Sequence, residues 1–146
     1  MLILFVQFVF VSSSYAAGLE VENAFARAVA PGAPMGAIYA RLNNRGDQAL
    51  EITRVYSEVA GMSEIHESVE IDGMMRMRQI DPLRIPGSAY IDLLPGGKHI
   101  MLMRLQRQLK TGDSFVVVLV DSKGTEYKAD VLVGGFGQMT MPTPEK

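Results

Sequence analysis

Residues 64–80, EIHESVEIDGMMRMRQI, contain the pattern that decides the fold. An Asp-Gly pair at 72–73 lies between two short apolar-rich runs, which is a strong hairpin signal because a type I′ turn needs positive φ at both central residues. With this pair at the centre of the turn, His66 and Met77 become diagonal neighbours on one face, within reach of a common atom. The segment therefore predicts an antiparallel hairpin that brings an imidazole close to a thioether.

A second run, PGGKHIMLMRL at 95–105, repeats the pairing of an imidazole with thioethers. The Pro-Gly-Gly turn leads into a strand on which His99, Met101 and Met103 share one face, because successive side chains point to opposite faces. His99 and Met101 have the i, i+2 spacing, which is the closest same-side spacing that a strand offers. The spacing along the chain leaves open whether this run meets the Asp-Gly hairpin.

The rest of the chain alternates between short strand-like runs and turn signals. Runs rich in Val, Ile, Tyr, Phe and Met recur at intervals of about ten residues, and no stretch keeps a helical period for more than two turns. The predicted strands are 19–29, 36–43, 49–56, 64–71, 74–80, 89–93, 99–105, 114–121 and 125–133. Eight or nine strands in one domain predict an all-β fold, as a Greek-key sandwich or a flattened barrel.

The composition excludes several classes of protein. With 146 residues, 48% of them hydrophobic, the chain can bury a core as one domain without disulfides. A net charge of −2 argues against a nucleic-acid-binding protein, which needs a basic surface to meet phosphates. The absence of cysteine excludes thiolate zinc sites, iron–sulfur clusters, catalytic thiols and blue-copper centres. Ten methionines accompany only two histidines.

The first residues have the pattern of an export signal. Residues 2–11, LILFVQFVFV, form an apolar run that is too short to span a bilayer as a helix but suits a secretory signal. The tripeptide at 14–16, Ser-Tyr-Ala, matches the small-x-small pattern of a cleavage site. We therefore expect a signal peptide over 1–16, a domain over 17–133 without a membrane span, and a mobile tail over 134–146.

The two histidines and their methionine neighbours are the candidate functional residues. If the hairpin and the second run meet, two imidazoles and two thioethers form a soft, neutral ligand set that suits Cu(I) better than zinc, magnesium or calcium. Thioethers do not titrate, and they need no reducing environment to remain ligands. A single methionine on a strand is more often core packing, so the hypothesis rests on the whole constellation.

The other methionines carry less weight. Met35 is predicted to be ordinary packing. Met139 and Met141 could form a second soft site, but no histidine accompanies them. Three more stay open between packing and binding: Met62, Met74 and Met103.

Four of these residues match the signature of a known family. His66 is followed by ten residues and Met77, and twenty-one residues later come His99, one residue and Met101, which gives H-x10-M-x21-H-x-M. The flanking runs HESVEIDGMMRMR and LLPGGKHIMLMRLQRQLKTGD are similar to the same family, with weaker similarity over most of 19–133. The chain resembles the periplasmic copper chaperones called PCu(A)C.

The resemblance implies a cupredoxin-like or immunoglobulin-like Greek-key β-sandwich in the periplasm. It implies one Cu(I) ion near the surface, with the ligands His66, Met77, His99 and Met101. It also implies delivery of Cu(I) to the cytochrome c oxidase subunit that carries the dinuclear copper centre, alongside a thiol-disulfide partner of the Sco type. The chain departs from some members in having Glu67 where they have a methionine, and in a tail without histidine.

The favoured hypothesis is a carrier without catalytic turnover, which passes copper to the tighter thiolate ligands of a partner. Enzymes fit less well. A copper oxygenase with a histidine brace needs a histidine at the terminus created near Ala16, and a hydrolase needs recognisable Ser or Asp partners for its histidine. A periplasmic copper-buffering protein and a non-metal adhesion or scaffold sandwich stay open as alternatives.

Overall fold

The computed structural model describes residues 18–141, so the predicted signal peptide at 1–16 and the end of the predicted tail lie outside the described residues. Over this range the chain forms ten β-strands. They are β1 (Leu19–Arg27), β2 (Met35–Asn44), β3 (Leu50–Ser57), β4 (Ala60–Ile71), β5 (Met74–Gln79), β6 (Leu83–Ile85), β7 (Tyr90–Leu93), β8 (Lys98–Leu105), β9 (Ser114–Asp121) and β10 (Glu126–Gly134). In this part of the chain no helix has the length and apolar character that crossing a bilayer requires.

The Asp-Gly hairpin forms as the sequence predicts. Asp72 and Gly73 connect β4 to β5 with φ values of 52° and 77°, the two positive angles of a type I′ turn. Ser68 pairs with Met77 across the hairpin, which makes His66 and Met77 diagonal neighbours on one face. The predicted register of this hairpin is therefore confirmed.

Two strands differ from the sequence prediction by more than two residues. β6 pairs with β3, and the sequence gives no sign of it because three residues between Pro82 and Pro86 are too few to show an alternation. β4 begins at Ala60 rather than at residue 64. The second residue of β4 is Gly61. Glycine is rare in strands, so the sequence favours a loop at this position.

All ten strands described belong to one sheet that folds over a single core. The strand order is β5-β4-β8-β2-β1-β10-β9-β3-β6, with β7 paired to β2 outside this path. β1 and β10 pair in parallel, whereas the other ladders are antiparallel. Buried residues from both ends of this order, such as Ile65 of β4 and Ile85 of β6, join one core. The predicted all-β, single-domain sandwich is confirmed.

Three isoleucines mark the inner face of the strands that matter for function. Ile100 on β8 pairs with Ile65 on β4 and with Ile38 on β2, and all three are at most 2% exposed. Because side chains alternate along a strand, residues one position away point outward. His66 and His99 therefore lie on the outer face of the segment β5-β4-β8-β2.

Candidate metal centre

His66 and His99 occupy directly opposite positions on β4 and β8. Their ring centroids lie 6.2 Å apart. The sequence leaves open whether the Asp-Gly hairpin meets the later run, and the pairing of β4 with β8 shows that the two halves do meet. His99 is 4% exposed, and the side chain of His66 is 17% exposed.

Hydrogen bonding fixes which nitrogen of His99 carries the proton. Nδ1 lies 3.0 Å from the carbonyl oxygen of Gly97, and a carbonyl oxygen can only accept, so Nδ1 is the donor. In the neutral ring this leaves Nε2 with a free lone pair. The same Gly97 oxygen accepts a hydrogen bond from the backbone N–H of Ser68 at 3.2 Å, which ties the turn before β8 to β4.

His66 is held in the opposite sense. Its Nε2 lies 2.8 Å from Oε2 of Glu64, and the Nε2–H group donates a hydrogen bond to the carboxylate. Glu64 stands two residues earlier on the same strand and therefore on the same face. In the neutral ring, the lone pair of His66 is on Nδ1.

Each ring thus presents one nitrogen that lacks a hydrogen-bond partner among the described residues. Within residues 18–141, His66 Nδ1 and His99 Nε2 are buried and make no hydrogen bond. A buried polar atom in this state costs about 1–3 kcal/mol, and folded proteins seldom leave such atoms unsatisfied. Because neutral imidazole binds metals through its unprotonated nitrogen, two such atoms on neighbouring rings fit a metal ion as the missing partner.

An open cavity of about 390 Å³ lies over this outer face. Its lining includes His99 together with Met77 and Met101, the two predicted thioether ligands. Met77 is 59% exposed, and Met101 is half-buried. Three of the four predicted ligands share this cavity, and the fourth, His66, lies beside His99.

Arg27 and Tyr39 form one wall of the cavity. Arg27 Nη2 donates a hydrogen bond of 2.8 Å to the Tyr39 hydroxyl, and the Tyr39 ring centroid lies 6.4 Å from that of His99. Burial lowers the pKa of His99, and the positive charge of Arg27 acts in the same direction. His99 is therefore neutral at neutral pH, which is the form that binds a metal ion.

Two contributions to this arrangement escaped the sequence prediction. Glu64 has a weak sequence signal, since a carboxylate two residues from a strand histidine lies on the same face. The carbonyl oxygen of Gly97 has no signal, because a backbone acceptor leaves no trace in residue type. Both atoms orient a ring rather than line the cavity.

Met35 and the end of the described chain also border the cavity. Met35 is 54% exposed and lines the cavity, so its prediction as ordinary packing is wrong. It is the first residue of β2 and lies on the outer face. Phe136, which follows β10, lines the cavity as well. Beyond it, Met139 Sδ lies 3.8 Å from Arg27 Nη1.

One family and two relatives match most of the chain. The family described as "Putative lipoprotein LpqE-like" matches residues 19–133. "Putative lipoprotein Lxx21020" from Leifsonia xyli subsp. xyli is 32% identical over 120 residues, which cover 82% of this chain and 71% of the relative. "Uncharacterized protein RP573" from Rickettsia prowazekii is 30% identical over 98 residues, which cover 66% of this chain and 54% of the relative.

Solved structures with the same fold include PCuAC domains. The apo PCuAC domain from PmoF1 has a TM-score of 0.67 and 28% identity, covering 83% of this chain and 98% of that one. The solution structure of CuI-DR1885 from Deinococcus radiodurans has a TM-score of 0.65 and 28% identity, covering 83% of both chains. The copper-bound PCuAC domain from PmoF2, with a TM-score of 0.67 and 22% identity over 83% of this chain and 97% of that one, shares the fold.

Proposed function

This chain belongs to the LpqE-like family, and we propose that it carries one Cu(I) ion as cargo between other proteins. The proposed ligands are His66, Met77, His99 and Met101. The observation that carries the proposal is the pair of buried nitrogens, His66 Nδ1 and His99 Nε2, without a hydrogen-bond partner among the described residues. The likeness to the Cu(I) form of the Deinococcus radiodurans protein supports the same reading.

The donor set fits a soft monovalent ion. Two imidazoles and two thioethers are neutral, so a bound Cu(I) leaves a single net positive charge, whereas harder divalent ions prefer carboxylate and carbonyl oxygens. Among residues 18–141, Glu64 is the carboxylate that contacts these rings, and it accepts a hydrogen bond from Nε2 of His66. It acts on the ring, not on the ion.

Glu64 and the Gly97 carbonyl prepare the rings for the ion. By accepting a hydrogen bond from one nitrogen of each ring, they set which nitrogen of the neutral ring faces the ion, and they limit rotation of the ring. Partners of this kind typically change metal affinity by about 10- to 100-fold when they are removed. The two rings are therefore oriented before the ion binds.

Release follows from the position of Met77. This thioether is the most exposed of the four proposed ligands, and it lies on β5, the edge strand of the sheet. A thiolate of an acceptor protein can replace it without disturbing the buried His99. Because thiolates bind Cu(I) more tightly than thioethers do, transfer runs from this chain to the acceptor.

We further propose that the carrier works in the periplasm and delivers Cu(I) to the cytochrome c oxidase subunit with the dinuclear copper centre, alongside a Sco-type partner. In this proposal residues 1–16 are removed on export and residues 17–133 form the chaperone domain. Support comes from the export-like sequence at 2–16 and from the lipoprotein name of the Leifsonia relative. The chain acts as a carrier, not as an enzyme.

Anaerobic titration with Cu(I) in competition with a chelator tests the binding step. We expect X-ray absorption of the loaded protein to report two nitrogen and two sulfur neighbours, with one nitrogen lost in His99→Leu. The matched control is Met74→Leu, an exposed methionine on the other face of β5, which should leave the spectrum unchanged. A spectrum of oxygen neighbours alone would contradict the proposal.

A deletion strain separates delivery from buffering. Loss of oxidase activity that added copper restores supports delivery. Sensitivity to copper with normal oxidase activity supports the alternative, a copper-buffering role for the same site. A strain with neither defect would leave the non-metal scaffold as the better account.

A further inference from the structure

Three methionines form a row across three neighbouring strands, outside the proposed copper site. Met103 on β8 pairs with Met35 on β2 and with Met62 on β4. The three residues are far apart in the sequence, so only the order β4-β8-β2 brings them into line. Met103 lies on the same face of β8 as His99 and Met101, because side chains alternate along a strand. Directly paired residues on neighbouring strands share a face, so Met35 and Met62 also lie on the outer face.

The row is exposed, unlike core methionines. Met35 is 54% exposed and Met62 is 41% exposed, while Met103 between them is half-buried. The Cβ atoms of directly paired residues on neighbouring strands lie about 4.5–5.5 Å apart. Because each methionine has three rotatable bonds beyond Cα, the two outer thioethers can converge on an ion held at the central one.

The chemistry of such a trio is narrow. Three thioethers without a carboxylate or imidazole offer only soft, neutral donors, which select Cu(I) or Ag(I) and give nothing to zinc, calcium or magnesium. Exposed apolar side chains that form a contiguous patch also mark binding sites more often than isolated ones do.

We propose that Met35, Met62 and Met103 form a second, all-thioether site for one monovalent soft metal ion. It is distinct from the site of the two histidines and does not depend on it. With only three donors and no buried nitrogen, it binds more weakly than the histidine site. An ion there remains exposed to solvent and to other proteins.

The two sites are placed for exchange. Met101 lies two residues from His99 and two from Met103 on the same face of β8, so each step along the strand covers about 7 Å. Met35 lines the same cavity as Met77, His99 and Met101. The row therefore serves as a loading site, from which an ion reaches the histidines through Met101 without leaving the surface of the protein.

Titration of the full chain with Ag(I), a redox-stable probe for thioether sites, tests the proposal. The protein is labelled with ¹³C at the methionine methyl groups, and each signal is assigned by a single Met→Leu variant. In the double variant His66→Leu/His99→Leu, we expect one Ag(I) still to bind and to shift the signals of Met35, Met62 and Met103. No shift at these three methyl groups would overturn the proposal.

A triple variant with a matched control completes the test. Met35→Leu/Met62→Leu/Met103→Leu keeps side-chain volume, so the fold is expected to persist, and it should lose one equivalent of Ag(I) while retaining the other. The control, Met74→Leu/Met75→Leu, changes methionines that are 55% and 63% exposed, and it should keep both equivalents. Equal loss in this control and in the triple variant would contradict the assignment.

The two proposals can fail separately. If the histidine site is wrong, the double histidine variant binds as much Ag(I) as the wild type, whereas the triple methionine variant still loses an equivalent. If the methionine row is wrong, the triple variant binds as the wild type does. Among its members, Met103 is central, so Met103→Leu alone should weaken the second equivalent by about tenfold or more.

Discussion

His66 and His99 lie opposite each other on β4 and β8 with ring centroids 6.2 Å apart. In each ring, one N–H group donates a hydrogen bond to a protein oxygen. The other nitrogen is buried and has no hydrogen-bond partner in the described part of the chain. Folded proteins rarely leave buried polar atoms without a hydrogen bond, so two such nitrogens on facing rings call for a functional explanation. The arrangement is understandable if stability is given up for binding, as at many functional sites.

Replacing His99 with leucine should therefore remove tight Cu(I) binding without destabilising the apo protein. The substitution deletes an unsatisfied buried atom, and the Gly97 oxygen keeps its hydrogen bond from the Ser68 N–H. We expect the free energy of unfolding in urea to stay within about 1 kcal/mol of wild type or to rise. Cu(I) affinity, measured against a chelator, should fall by about 100-fold or more. A large loss of stability with unchanged affinity would make His99 a structural residue.

Glu64→Ala should weaken Cu(I) binding although Glu64 is not a proposed ligand. Without the carboxylate, the Nε2–H group of His66 has no hydrogen-bond acceptor at this position and the ring is no longer held in place. We therefore expect the Cu(I) affinity to fall by about 10- to 100-fold. Glu64→Gln retains an oxygen acceptor and should lose less. The matched control is Glu67→Gln on the same strand, whose carboxylate binds Arg78 and Lys98 instead. Equal effects at 64 and 67 would refute the ring-orienting role.

Met77→Leu and Met74→Leu should differ in copper binding but not in stability. The two residues are 59% and 55% exposed on the same strand, so each change should alter the free energy of unfolding by no more than about 0.5 kcal/mol. Only Met77 lies on the face of His66. We expect Cu(I) affinity to fall by about tenfold or more in Met77→Leu alone, as measured by chelator competition. Identical affinities would remove Met77 from the ligand set.

Gly73→Ala should destabilise the hairpin through backbone conformation alone. Gly73 has a φ of 77°, and a Cβ built there meets no atom within 4 Å. The expected loss is about 1 kcal/mol of unfolding free energy, from the left-handed conformation rather than from a clash. Gly135→Ala is the control, because it has equal space and no left-handed angle; thermal or urea unfolding should show no comparable loss there.

The stability of the apo protein should fall as the pH is lowered through the range in which histidine titrates. Burial lowers the pKa of His99 in the folded state below the ordinary value of 6.5. As the pH falls below 6.5, the unfolded chain therefore binds a proton before the folded protein does. The free energy of unfolding decreases between pH 6.5 and the lower pKa of the folded state. Urea unfolding at pH 7.5 and 5.5 measures this loss. It should be smaller in His99→Leu, and an equal loss in both proteins would assign it to other groups.

The sequence alone determined the local parts of this architecture. Asp72-Gly73 requires a type I′ turn, and that turn sets the register between β4 and β5, so the diagonal of His66 and Met77 follows from residues 64–80. Period-two alternation likewise placed His99 with Met101 on one face. These relations involve neighbours in the chain, and steric limits on a few backbone angles are enough to fix them.

Tertiary structure decided which strands became neighbours. The alternation along a strand determines which face a side chain lies on, but not which strand lies beside it. The strands β4, β8 and β2 become neighbours because this order buries Ile65, Ile100 and Ile38 together in the core. From this one pairing come the facing histidines and the alignment of Met62 with Met103. The hydrogen bond to the Gly97 carbonyl is equally invisible in the sequence, because it depends on where a backbone atom comes to rest after the core has formed.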